Sequence, residues 1–347
     1  MQALSADLEY VFKQVEPLFD RHQENRIFLT GGTGFFGKWL LLIFMKLIEE
    51  GYRIELVILS RDPQKFIESF PALKPFSKSI QFVKGDVRHF EYPSGEFSYV
   101  IHAATAASAG LNQGAPLEMF DAILEGTRRV LEFCKLHKTK PHVLFVSSGA
   151  VYGQQPTTVT HIPETFLGAP AIYHEHNAYA VGKYTAEHLC YQYSHVYDLP
   201  IKIARPFAFI GPYLPLDIHF AIGNFIRDAL KGGPIVVNGD GSPFRSYQYA
   251  ADLVVWLLHI LVRGKTCYPY NVGSDEDYDI AEIAHGVSAQ FSHRPEVVIK
   301  QAKTPGQKPS RYVPSVKRAL SELNLPANLR LEESLSRTIL WHQQLKQ

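Results

Sequence analysis

One stretch constrains this chain more than any other: Thr30-Gly31-Gly32-Thr33-Gly34-Phe35-Phe36-Gly37. It follows a short apolar run, Arg26–Thr30, and opens a helical run, Lys38–Glu50. In a strand–turn–helix unit of this kind, Gly31 permits the tight turn and Gly34 lets a pyrophosphate approach the backbone. Gly37 lets helix and strand pack closely. The first N–H groups of the helix have no intrahelical acceptor and, with the helix dipole, they attract an anion. The segment therefore reads as a dinucleotide-binding turn, with Phe35 and Phe36 among its binding residues.

The rest of the chain supports that setting. Apolar runs at Glu55–Ser60, Ile80–Lys84, Tyr99–His102, His142–Ser147 and Ile201–Ala204 alternate with longer stretches of helical periodicity. That alternation predicts an α/β fold of Rossmann type, a doubly wound parallel sheet covered on both faces. We expect an N-terminal helical segment over 1–25, a dinucleotide-binding domain over 26–205, and a smaller, loop-rich substrate-binding lobe over 206–347. That last lobe can return a strand or helix to the first. There are 35 Lys+Arg against 34 Asp+Glu, a formal net charge of +1, so the chain carries no electrostatic footprint for nucleic acid or an anionic membrane. Cys134, Cys190 and Cys267 have neither metal-ligand nor redox spacing, which points away from a metal site and a disulfide framework. The apolar run Trp39 to Met45 is too short to span a bilayer and is expected to be a buried helix. With no apolar leader at the N-terminus, a cytoplasmic location is expected.

Tyr179-Ala180-Val181-Gly182-Lys183 places a phenol and an ammonium four residues apart, on one helix face. A tyrosine titrates near ~10, too high for a base at neutral pH, and a nearby cation favours the phenolate. Upstream, at the end of the fifth predicted strand, lies Ser147-Ser148-Gly149-Ala150-Val151-Tyr152-Gly153. Together with the Gly-x-x-Gly-x-x-Gly spacing, these motifs resemble the extended short-chain dehydrogenase/reductase family of nucleotide-sugar epimerases and dehydratases. The resemblance implies a catalytic set of Ser148, Tyr179 and Lys183. Ser148 would hold the reacting oxygen, Tyr179 would exchange its proton, and Lys183 would also bind the nicotinamide ribose. It further implies cofactor contacts from Asp86 and Val87, from Ala103, Ala104 and Thr105, and from Pro206 and Phe207. His102 is read as structural. Ser60 and Arg61, at the end of the second strand, suit a 2′-phosphate and favour NADP. Asp62 is the alternative, standing in for the ribose-binding acid of an NAD enzyme.

The same resemblance places substrate contacts at Ser148, Asn224, Arg245 and Arg311, the two arginines converging on the diphosphate of a nucleotide-sugar. His219, Phe220 and Phe225 join Asn224 as expected pocket residues. Read alone, each of these is a surface or packing residue. Asp252 closes the Arg245-Ser246-Tyr247-Gln248-Tyr249 stretch that resembles the family's phosphate-binding segment. Where the family's dehydratases and decarboxylases carry acids, this chain has Gly149 and Ala150. Ile123 and Ala208 stand where asparagines are common. Epimerisation or reduction of a 4-keto sugar is therefore expected, by hydride transfer with Tyr179 as acid/base. The alternatives are a 4,6-dehydratase using Glu175, His174 or His176 instead, and a non-catalytic dinucleotide sensor. The helices around Glu118–Lys138 and Asn177–Tyr197 are expected to form a homodimer interface, with Leu117, Phe120, Leu124, Val130 and Leu131 on its apolar face.

Overall fold

The computed structural model describes residues 2–105, 114–217 and 220–345. The strands in chain order are β1 (Asn25–Thr30), β2 (Ile54–Ser60), β3 (Ile80–Lys84), β4 (Tyr99–His102), β5 (His142–Val146) and β6 (Ile201–Pro206). They continue with β7 (Phe209–Ile210), β8 (Ile235–Val237), β9 (Phe244–Arg245), β10 (Gln248–Tyr249), β11 (Pro269–Val272), β12 (Tyr278–Asp279), β13 (Val297–Ile299) and β14 (Arg311–Tyr312). Among the described residues, seven form one parallel sheet in the order β11-β6-β5-β4-β1-β2-β3. Its edge strand β11 comes from within 206–347 and lies beside β6.

Successive side chains of each strand feed two separate cores, as a sheet covered on both faces requires. Ile27, Leu29, Leu56, Ile58 and Ile101 face helices α1 (Gln2–Val15) and α2 (Phe35–Glu49). Phe28, Val57, Leu59, Val100 and Phe145 face the other way, among side chains of the helices Pro116–Lys135 and Ala178–Tyr197. With a short α3 (Pro63–Ser69) between, those two helices are α4 and α5. Trp39 to Met45 in α2 is buried throughout, because α2 lies between the sheet and two further helices. Those two are α1 and α7 (Ala250–Arg263), the latter preceded by α6 (Ala221–Leu230). No helix among the described residues is long and apolar enough to cross a membrane. The three cysteines are free thiols.

Helix α1 is part of the main core. Asp7 accepts from the Tyr249 hydroxyl and pairs with Arg337, and the Tyr10 hydroxyl donates to Asp252 at 2.9 Å. Asp252 also accepts the Leu329 N–H at 2.8 Å, and burial pushes its carboxyl up to about 6. It ties three distant segments together rather than facing a phosphate.

The strand order reverses between β1 and β4, where ligands of open α/β sheets bind beyond the strand ends. Thr30 and His102 are paired there. Thr30 Oγ1 lies 2.7 Å from His102 Nδ1, and His102 Nε2 lies 3.1 Å from Thr127 Oγ1 on α4. The Thr127 hydroxyl donates to the Ile123 carbonyl, so it accepts from Nε2–H, and Nδ1 accepts from Thr30. Thr30 in turn accepts the Ala104 N–H at 3.2 Å. This chain of bonds requires a neutral ring, and burial, with the Lys183 charge adding to it, lowers the imidazole to about 3. His102 is structural.

An unfolded histidine titrates near ~6.5. Below that pH the unfolded chain takes up a proton that the folded chain refuses, so stability falls as pH drops toward the folded value. His102→Gln keeps a donor and an acceptor without the titration. Between about pH 7 and about pH 4, urea denaturation should show it losing about 3 kcal/mol less stability than the native chain. Equal losses would refute this role for the ring.

Candidate functional site

The glycine turn lies at the carboxyl end of β1. Gly31 has φ +77°, and a Cβ there would lie 2.5 Å from the Ala103 carbonyl. A Cβ on Gly37 would lie 2.3 Å from the Gly31 oxygen, so helix and turn meet backbone to backbone. At Gly34 the nearest atom to such a Cβ is 3.5 Å away, which leaves that side open. Gly34 is also the N-cap of α2 and supplies no side-chain bond to its first N–H groups. An open approach to an uncapped helix start fits a pyrophosphate. Ala103 and Ala104 form the facing lip, and the Thr105 hydroxyl donates back to the Ala104 carbonyl at 2.7 Å. Phe35 and Phe36 are half-buried and pack on the core, with Phe36 edge-on to Phe209 at 5.0 Å.

At the end of β2, Ser60 is buried and accepts the Asp62 N–H at 3.3 Å, while Arg61 is exposed. The Asp62 carboxylate caps α3 by accepting the Lys65 N–H at 3.1 Å. Asp86 is held by both Arg88 side-chain donors, which keep its carboxyl below the usual range. Val87 packs into the space over Gly126, where a Cβ would lie 2.8 Å from its Cγ1.

Helix α5 presents Tyr179, Lys183 and Glu187 along one stripe. Lys183 is buried, donates to the Val146 carbonyl at 2.7 Å, and is lowered to about 7 by burial. The Tyr179 phenol is raised by burial, and its hydrogen bond with Ser148 opposes that rise. The sequence led us to expect that the lysine charge would lower the phenol. Burial works against charge on the lysine as well, and it is the largest cause of both shifts. Close packing accounts for both shifts. Ile123 lies over Gly182, where a Cβ would approach it to 3.1 Å, so α4 seals this part of α5.

Beneath these residues, Glu187 forms a two-pronged ion pair with Arg205 and accepts from Ser147. Breaking such a buried pair costs about 3–5 kcal/mol, so Glu187 is a fixed support and not a mobile acid. Arg205 in turn lies 4.7 Å over the Tyr152 ring, and the Tyr152 hydroxyl donates to Asn271 on β11 at 2.7 Å. Ser148 sits at the end of β5 and accepts the Ala150 N–H at 3.1 Å. A Cβ at Gly149 would lie 2.7 Å from the Phe207 ring and 2.7 Å from the Tyr312 hydroxyl. No side chain fits at 149 without displacing both rings. Burial is the main cause that raises the Tyr312 phenol. Neither Tyr312 nor Glu187 was singled out from the sequence. Glu187 has a signal, four residues beyond Lys183 on the same face; Tyr312 has none beyond its neighbour Arg311. Pro206 ends β6, and Phe207 stacks 4.6 Å from Tyr312.

The arginine pair does not converge. In the small sheet β12-β9-β14, Tyr312 is registered with Arg245 and Arg311 with Phe244. Alternation along a strand therefore puts Arg245 on the Tyr312 side and Arg311 on the opposite side. Arg311 there stacks 4.2 Å over Phe244, pairs with Asp277 and donates to the Thr160 carbonyl at 3.2 Å. Asn224 accepts from Arg227 at 2.8 Å and lines a cavity of about 500 Å³ with Val237, Gly241 and Lys300. Phe225 lines the same cavity and is largely buried in the core, Phe220 is exposed, and His219 lies outside the described residues. His174, Glu175 and His176 are exposed; His174 caps the turn before α5 and Glu175 pairs with His176. They form a polar helix entry. Val130 and Leu131 are buried within the chain, whereas Leu117 is 78% exposed.

Comparison with known proteins agrees with this architecture. UDP-glucuronic acid decarboxylase 1 of Arabidopsis thaliana is 27% identical over 319 residues, covering 90% of this chain and 69% of the relative. UDP-glucuronic acid decarboxylase 1 of Danio rerio is 27% identical over 338 residues, covering 96% and 77%. Among solved structures, a UDP-glucose 4-epimerase of Thermotoga maritima superposes with a TM-score of 0.77 at 21% identity, over 93% of this chain and 100% of that one. A dTDP-glucose 4,6-dehydratase of Bacillus anthracis gives 0.73 at 19% identity, over 92% and 97%. The profile of the NAD dependent epimerase/dehydratase family matches residues 27–273, and the chain belongs to that family.

Proposed function

We propose that the chain oxidises and re-reduces a hydroxyl-bearing carbon of a nucleotide-linked sugar, as an epimerase or, supplied with the ketone, as a reductase. The observation that carries this reading is the closure at 149, where Phe207 and Tyr312 fill the space an acid would need. Ala150 offers no ionisable group either. A site with one phenol and one serine hydroxyl can move a proton on and off a single oxygen, which oxidation and re-reduction require. A second reading, decarboxylation or dehydration of the sugar, is favoured by the names of the relatives.

The uncapped start of α2 would hold the cofactor's pyrophosphate, with Ala103, Ala104 and Val87 lining its path. Lys183 would hold the nicotinamide ribose, beside Pro206 and Phe207. A bound nicotinamide dinucleotide supplies hydride exchange and, when oxidised, a positive charge beside the phenol. Ser148 then fixes the reacting oxygen and Tyr179 takes or returns its proton. Arg245 faces the same space and suits a substrate phosphate; the cavity at Asn224 suits the nucleotide moiety. Arg311 supports the strand that carries Tyr312.

Incubating the full chain with either cofactor and a panel of UDP- and dTDP-sugars separates the readings by product mass together with chromatographic retention. An isomer of unchanged mass, or a reduced product with matching loss of NADPH, is the expected outcome. Loss of CO2 or of water would overturn it in favour of the second reading, and binding without turnover would leave a dinucleotide sensor. Tyr179→Phe should slow turnover on the order of 10³-fold while cofactor affinity holds within about two-fold.

For the cofactor, Asp62 is committed to capping α3, which leaves Ser60 and the exposed Arg61 as the lip for a 2′-phosphate and supports NADP. Arg61→Ala should weaken NADP+ binding by about ten-fold and NAD+ binding by under about two-fold in calorimetry. Equal losses would remove the preference. Leu117, Tyr184 and Tyr191 are exposed on α4 and α5, and we assign that face to a homodimer. Tyr191→Glu should shift the mass by light scattering from dimer to monomer; a monomeric native chain would rule the interface out.

A further inference from the structure

Around the closure at 149 lies a third apolar cluster, separate from the two cores that cover the sheet. Val151, Tyr152, Ile162 and Phe207 form it, with Phe166 and Tyr312 packed against them. These side chains come from the turn 149–152, the strap 155–166, the residue after β6 and the two-residue strand β14. Short loops of this kind have much backbone freedom to lose, and a cluster this small gives little burial in return.

One carboxamide ties the pieces together. Asn271, on β11, is fully buried. Its Oδ1 accepts the Tyr152 hydroxyl at 2.7 Å, and its Nδ2 donates to the Ile162 carbonyl at 2.9 Å and to the Ser315 carbonyl at 3.0 Å. Its backbone N–H donates to Glu164 Oε1 at 2.9 Å. Both amide protons are therefore spent, one on the strap and one on the segment after Tyr312. Those two segments also pair directly, with Ile162 N–H on the Val313 carbonyl at 2.9 Å and Ser315 N–H on the Ile162 carbonyl at 2.8 Å. The turn 149–152 joins them through the Tyr152 hydroxyl. Asn271 is registered with Arg205, whose guanidinium lies 4.7 Å over the Tyr152 ring, so that ring is held at its hydroxyl and at its face.

We propose that Asn271 is a positioning residue of this site: it holds the turn 149–152 against Phe207 and Tyr312 and thereby keeps position 149 closed. The proposal rests on the reading above, in which that closure sets the reaction. Asn271 acts through Tyr152 and Tyr312, and the chemistry of its side chain is specific. An aspartate would turn an acceptor toward two carbonyls, and a serine is too short to span three segments.

The test is a thermal-melting cycle on the full chain, with Gly149→Ala as the probe of closure. In the native chain the added methyl meets both rings and should lower Tm by about 5 °C. In an Asn271→Ser background the rings yield, and the same methyl should lower Tm by under about 2 °C. Asp252→Asn is the control, since it turns a donor toward the Leu329 N–H in an equally buried hub of another core and should leave the cost of the methyl at about 5 °C. If Asn271→Ser does not fold, Tyr152→Phe cuts the tie to the turn alone and should reduce the cost to about 3 °C. On a sugar that the native chain turns over, Asn271→Ser should lower kcat by about ten-fold and leave NADP+ affinity within about two-fold, because three strands separate β11 from the glycine turn after β1. A methyl that costs the same with and without these ties overturns the proposal, as does a cost that falls equally with Asp252→Asn. A cycle that holds while the products show loss of CO2 or of water would keep Asn271 in its role and sink the functional reading instead.

Discussion

The structure depends on a close approach of two backbones at the point where the sheet reverses its strand order. There the turn after β1 meets the turn after β4, with the Gly31 Cβ position 2.5 Å from the Ala103 carbonyl. Nothing larger than hydrogen fits, so the crevice beyond the strands is shaped by backbone. Below it, the bonds from Ala104 through Thr30, His102 and Thr127 to the Ile123 carbonyl join both strands to α4. That chain is fully satisfied only with a neutral imidazole, and burial enforces neutrality. On this floor α2 starts at Gly34, which supplies no side-chain bond to its first N–H groups.

The chemistry of the site follows from how dry it is. Burial lowers the lysine and raises the tyrosine, both shifts acting against charge. Close packing thus works against charge on both side chains. The buried Glu187–Arg205 pair lies close by without contributing, because its charges satisfy each other.

The wall at 149 leaves no room for a side chain at that position. Phe207 and Tyr312 occupy that wall, and Tyr312 brings a hydroxyl with it. Both rings together would have to move for a side chain to fit at 149. The arginines show the same sensitivity to position: one step along a two-residue strand sends Arg311 to Asp277 and leaves Arg245 facing the site.

The sequence by itself determined the parts that depend on local spacing. Glycines around a tight turn, apolar runs buried on two faces, and a phenol and ammonium one helical turn apart are legible because each is set within a dozen residues. Strands β3 and β4 run as expected, and β1, β2 and β5 differ by one residue at an end. Tertiary structure alone decided what joins across long separations. Pro269–Val272 is short and contains a proline, and only its place beside β6 makes it a strand of the main sheet. Tyr312, more than a hundred residues beyond Tyr179, enters the site because β9, Gln155 and Asn271 pin its segment there. The shifts of Tyr179 and Lys183 arise in the same way, from burial. Spacing sets which side chains share a face, but the neighbours that exclude water set their ionisation.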